Sequence, residues 1–179
     1  MTEERMGECQ ADESVPVKIA RYTVETFVAT GKIPEVEEVQ AFGSGTAGCF
    51  VSLHSRKALR GCIGTIAPTM DSVTAEIIRN AVCACSEDPR FDPVRLDELA
   101  DLEYSVDILE PSEPVESLDA LDPKTYGVIV TSGFRRGLLL PDLEGVDSVA
   151  AQLAIACRKA GIASDEAYDI RRFRVTRYH

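Results

Sequence analysis

The sequence predicts an α/β domain of the α+β kind, with an antiparallel or mixed sheet and helices flanking it. Three observations predict it. Short segments of strand character come in pairs joined by tight turns. Segments with helical spacing of apolar residues lie between those pairs, not in strict alternation with single strands. The chain has 179 residues and is 45% hydrophobic, which suits one domain with an ordinary core.

The elements can be justified in order. Residues 1–13 are polar and acidic and read as a flexible tail, and 14–179 read as a single domain. Ser14 is placed to cap a helix with Pro16 in its first turn. Val17, Ala20, Val24, Phe27 and Val28 form its apolar stripe, and Gly31 ends it. AGCFVSLH and LRGCIG, within residues 47–64, read as the arms of a hairpin around the polar loop Ser55–Ala58. A second helix is expected from Asp71 to Cys85, and the prolines of SEDPRFDP end it. LEYSVDIL, Leu102 to Leu109, alternates as a half-buried strand does. PSEPVESLDALDP is an acidic, proline-marked excursion. YGVIVTS and GLLLP flank GFRR as a second hairpin. A third helix is expected from Asp147 to Ala160, with Gly161 just beyond it. RFRVTRY closes the chain as one strand.

Charge and composition exclude several functions. The formal net charge is −11, and residues 88–122 alone hold 12 acidic and 2 basic side chains. Such a chain repels phosphate backbones, so nucleic-acid binding is not expected. The arginines at 171, 172, 174 and 177 read as a solvated face or as partners of local acids. No apolar run approaches the ~20 residues of a membrane helix, and the first residues lack a signal-peptide pattern, so the expected location is cytoplasmic. The six cysteines, at 9, 49, 62, 83, 85 and 157, have no C-x-x-C spacing and read as free thiols. With two histidines only, no ligand set of readable spacing emerges, and neither a metal nor a cofactor is expected.

LRGCIG raises the question of chemistry. If Ser55–Ala58 joins the hairpin arms directly, His54 faces Leu59, Leu53 faces Arg60 and Val51 faces Cys62. Cys49, Val51, Leu53, Arg60, Cys62 and Gly64 then share one face, with His54, Leu59, Gly61 and Ile63 on the other. In that register His54 points away from Cys62, and a Cys–His dyad is not expected. A bulge at Gly61 would invert the parity. Arg60 would stand beside Cys62, where a guanidinium lowers a thiol pKa. The glycines would let backbone approach a carboxylate or phosphate. The plainer reading is that Gly61 and Gly64 shape a bend and Cys62 fills a small core site.

GCFVSLHSRKALRGCIGTIAP resembles the signature of the AMMECR domain family, called AmmeMemoRadiSam system protein A in bacteria. DPRF at Asp88 to Phe91, the strand followed by LEPSEP, YGVIVTSGFRRGLLLP, and CRKAGI at Cys157 to Ile162 resemble further elements of the family in the same order. Asp142 departs from it, following Pro141 where Gln is frequent. The resemblance implies an α/β domain of two unequal lobes with LRGCIG lining the cleft between them. It also implies the company of a Memo-like protein and a radical S-adenosylmethionine enzyme, without naming a reaction.

Two functions stay open on this reading. In the first, the chain is an enzyme component that binds a small anionic ligand. Cys62 and Arg60 are then the candidate catalytic residues, Gly61, Ile63 and Gly64 lie along the ligand, and Arg90 or Arg136 completes a basic site. Glu76 is a possible acid or base that nothing in the sequence places. In the second, the chain is a non-catalytic adaptor for those two partners.

Overall fold

Helix α1, Val15–Thr30, forms where the apolar stripe predicts it and ends at Gly31, whose φ of 72° is the left-handed conformation that closes a helix. Its start differs in detail from the expectation. Ser14 occupies the cap position, but its side chain makes no capping hydrogen bond. The computed structural model describes residues 13–179, so the expected tail and Cys9 lie outside the described residues, apart from Glu13.

The first hairpin pairs β1, Cys49–Ser55, with β2, Ala58–Gly64. The connection is a two-residue turn, Arg56–Lys57, with Ser55 already paired to Ala58. Both turn residues have positive φ, 52° and 67°, as the tight turns that match strand twist require. Helix α2, Val73–Ser86, follows, with the Ser72 hydroxyl accepting from the Ala75 amide. Strand β3 covers Leu102–Leu109, as the alternation predicts. The acidic excursion contributes only a short strand, β4, Glu113–Pro114. The second hairpin pairs β5, Gly127–Ser132, with β6, Arg135–Leu139. Helix α3, Val149–Ala160, is capped by Ser148 and closed by Gly161 at φ 67°.

The closing segment is where the expectation of one strand fails. It divides into β7, Asp169–Phe173, and β8, Val175–Tyr178. The two halves join different sheets. The first sheet has the order β2-β1-β3-β8 and the second β4-β7-β5-β6. Every pairing is antiparallel. Apolar alternation within RFRVTRY indicates strand, but it carries no information about a change of partner at Arg174.

Each sheet has its own core. Helices α1 and α2 cover the first sheet over Val17, Ile19, Val24, Val51, Leu53, Ile77, Ala81, Tyr104 and Val106. Helix α3 covers the second over Val128, Val130, Leu139, Leu153 and Ala156. Strand β2 meets α2 closely at Gly61, where a Cβ would lie 2.2 Å from the Ala84 carbonyl oxygen. Main chain cannot swing aside, so only glycine fits there. A third cluster draws on both sheets. Leu109 of the first packs with Ile129, Leu138 and Phe173 of the second, with Phe50 and Leu140 beside them.

Candidate functional site

The register of the first hairpin decides which side chains meet. His54 pairs with Leu59, but Leu53 pairs with Gly61, Ser52 with Cys62 and Val51 with Ile63. Arg60 is the extra residue of a β-bulge. The expected pairing of Val51 with Cys62 is therefore wrong, and so is the expected grouping of Arg60 with Cys62. The expected register has no bulge, and one at Gly61 is what would invert its parity; the bulge falls at Arg60, and the parity inverts. Cys62 shares a face with Ser52, and His54 lies two residues along β1 on that same face. The exclusion of His54 from the Cys62 side is overturned with the register.

This face is the one that α1 and α2 leave uncovered. It lines a cavity of about 700 Å³, with Phe50, Ser52, His54, Cys62, Ser105, Asp107 and Arg177 along it. Leu138, Leu139 and Leu140 from the end of the second hairpin, with Leu143, supply an apolar wall, and Lys159 reaches in from the last turn of α3. The Ser52 hydroxyl donates to the Cys62 sulfur at 3.2 Å.

Strand β2 is an edge strand, and the DPRF segment completes its free edge at Cys62. The Cys62 amide donates to Asp88 Oδ2 at 2.9 Å, and Arg90 Nη2 donates to the Cys62 carbonyl at 3.1 Å. Asp88 holds Arg90 in turn, accepting from Nε at 2.9 Å and Nη2 at 2.7 Å. The Asp88 side chain is 2% exposed and that of Arg90 54%, so the carboxylate is the anchor and the guanidinium the arm. Hydrogen bonding to Arg90 holds the Asp88 carboxyl far below the usual carboxylate range, against the opposing effect of burial and with help from the Cys62 amide. The same hydrogen bond raises the Arg90 guanidinium, so that charge is permanent.

Arg60 is turned to a different task. Its Nε and Nη2 form a two-pronged pair with Glu98 at 2.8 and 2.9 Å, and Nη1 donates to the Asp92 carbonyl at 2.9 Å. It is absent from the cavity lining. The bulge that turns Cys62 toward the cavity also sends Arg60 to the 92–98 segment. Phe91 lies between the two arginines, with ring centroid 5.9 Å from Arg60 and 5.5 Å from Arg90. LRGC and DPRF thus form one interlocked unit.

The other sequence candidates divide. Arg90 and Ile63 line the cavity with Cys62. Gly61 packs on α2, and Gly64 packs against the Phe50 ring, where a Cβ would lie 2.3 Å from it. Arg136 is exposed on β6 and is not brought to the cavity. Glu76 is fully buried and closes the loop after β2. It accepts from the Thr65 hydroxyl at 2.6 Å and from the amides of Thr69 and Met70 at 2.7 and 2.8 Å. Burial alone would raise its carboxyl, but these donors outweigh it and hold the pKa below the usual range. That is a structural clamp away from the cavity.

Sequence reasoning missed Ser52, Asp107, Lys159 and Arg177. Asp107 is buried and accepts from Arg177 Nε at 2.7 Å and Nη2 at 3.1 Å, joining β3 to β8. Ser52 and Lys159 lie in stretches that carried the family resemblance, GCFVSLH and CRKAGI, while Asp107 sits on the polar side of the β3 alternation and gave no signal of its own. Among the described residues no three His, Cys, Asp or Glu side chains converge to hold a metal ion. No helix there is long and apolar enough to cross a membrane.

Comparisons place the sequence and the fold among known proteins. The AMMECR1 family model matches residues 17–179. A protein of Thermotoga maritima is 51% identical over 166 residues, covering 90% of this chain and 95% of its own length. A protein of Clostridium acetobutylicum is 48% identical over 167 residues, and there the match spans only 35% of a longer chain. The crystal structure of an uncharacterized protein from Pyrococcus horikoshii shares the fold, with a TM-score of 0.82 at 31% identity over 90% of this chain and 88% of that one. By sequence and by architecture, the chain belongs to the AMMECR1 family.

Proposed function

We propose that the chain is an enzyme component that holds a small anionic ligand in the cavity beside Cys62, with that thiol as its reactive group. The observation that carries this reading is the setting of the sulfur. The Ser52 hydroxyl donates to it, and Arg90, Lys159 and Arg177 line the same cavity. Hydrogen-bond donors and cations favour a thiolate over a thiol, and the thiolate is the nucleophile. The cations collect here although the chain as a whole is acidic. Arg90 takes the role that the sequence gave to Arg60.

The family resemblance extends the proposal to partners, a Memo-like protein and a radical S-adenosylmethionine enzyme. The Clostridium relative supports work alongside another protein, because its matching region is joined to a longer chain. The same observation favours the second reading, a non-catalytic adaptor, should the thiol prove inert.

The test is the alkylation rate of each cysteine by iodoacetamide as a function of pH, read by mass spectrometry. Cys49 and Cys85 are internal controls, because burial pushes their thiols up to about 12 and about 11. Cys62 is expected to be alkylated in the native protein far faster than Cys49 and Cys85 across the pH range. Protection of Cys62 until unfolding would remove the nucleophile and leave the adaptor.

A further inference from the structure

The cavity beside Cys62 has chemically different halves. One wall is the polar face of the first sheet, with Ser52, Cys62, Ser105 and Asp107. The other is hydrocarbon, Leu138, Leu139, Leu140 and Leu143. Its cations also differ in kind. Arg90 is neutralised by Asp88, and Arg177 by Asp107. Lys159 forms no ion pair with a carboxylate among the described residues, and its electrostatic neighbours are Cys62 and Arg90. The residue as a whole is exposed, but its charged end is crowded by protein. That desolvation lowers its pKa, Cys62 opposes the shift and Arg90 adds to it. An ammonium so placed has no carboxylate partner among the described residues, and a ligand can supply one.

We propose that the cavity takes an amphipathic organic monoanion, a carboxylate on an apolar chain or ring, with its head on Lys159 and its hydrocarbon along Leu138–Leu140 and Leu143. One cation without a carboxylate partner matches one ligand carboxylate. A phosphate dianion would bring a second charge into a cavity that already holds the carboxylates of Asp88 and Asp107. A small hydrated ion would leave the leucine wall unfilled. The volume, about 700 Å³, lies in the range of small-molecule sites. Lys159 is then the residue that selects the head group, and the leucines select the tail. This deepens the proposed function and rests on its assignment of the cavity as the ligand site.

Octanoate serves as the probe, with octanol and inorganic phosphate as the two halves of its chemistry. Binding is measured by titration calorimetry on the full chain and on Cys62→Ser, Lys159→Gln and Lys159→Arg. Octanoate is expected to bind about tenfold more tightly than either half-probe, the scale of one charge-assisted hydrogen bond. Lys159→Gln should cost octanoate about the same factor and leave octanol unchanged, while Lys159→Arg retains binding. Octanol binding as tightly as octanoate, phosphate binding more tightly, or octanoate indifferent to Lys159→Gln each overturns the proposal. Failure of the nucleophile reading is distinguishable, since calorimetry on Cys62→Ser needs no reactive thiol. An inert Cys62 with selective octanoate binding sinks the chemistry and keeps the ligand class. A reactive Cys62 without such binding does the reverse.

Discussion

The amide of Cys62 donates to the buried carboxylate of Asp88 at 2.9 Å, across the free edge of β2. An edge strand presents unpaired backbone groups, and here a side chain twenty-six residues away closes the ladder at the thiol-bearing residue. Because Asp88 also grips Arg90, one carboxylate sets both the strand edge and the cation beside the cavity.

Asp88→Asn should therefore destabilise the fold by about 2 kcal/mol at neutral pH, the range for a buried charge-assisted hydrogen bond. The pH dependence has a definite sign. The folded pKa of Asp88 is depressed, so its stabilisation is present above the unfolded value near 4 and lost as pH falls through the folded value. Urea midpoints of wild type and variant should differ most above about pH 5 and converge in strong acid. A gap that stays constant from neutral pH to strong acid would contradict the assignment.

The bulged register predicts a specific crosslink. Ser52 stands opposite Cys62, and directly paired residues have Cα separations of about 4.5–5.5 Å, within disulfide range. Ser52→Cys should form a disulfide with Cys62 under mild oxidation, detected by non-reducing peptide mapping. If Val51→Cys crosslinks to Cys62 instead, the unbulged pairing is the right one.

Arg60→Ala should act on stability, not on ligand. Its guanidinium binds Glu98 and the Asp92 carbonyl, so its loss should cost about 2 kcal/mol and increase hydrogen exchange through 92–98. Octanoate affinity should change less than about threefold, because the side chain does not line the cavity. Arg60→Lys should rescue only part of the stability, since an ammonium cannot reproduce the two-pronged contact.

The local elements were legible because their causes are local. The stripe of Val17, Ala20 and Val24, the alternation from Leu102 to Leu109 and the stops at Gly31 and Gly161 lie within a few residues of what they determine. The site was legible only in part. LRGCIG and DPRF marked Cys62 and Arg90, yet the same letters assigned Arg60 to the wrong neighbours. The face a strand residue presents depends on parity, and one bulged residue reverses it for everything beyond. Lys159 lay within the family stretch CRKAGI but did not stand out as a site residue, since a lysine in the last turn of a helix is commonplace.

What the sequence determined by itself is the α+β class, the identity and order of the helices and hairpins, and membership in a family with a thiol-bearing signature. What only the tertiary structure decided is the partition of RFRVTRY between two sheets, the face on which Cys62 stands, and the meeting of Ser52, Cys62, Arg90, Lys159 and Arg177 around one cavity. The physical reason is range. Propensity and periodicity act over a few bonds of chain. Register, edge closure and cavity lining are settled by contacts between segments tens of residues apart, such as Asp88 with Cys62 and Arg177 with Asp107.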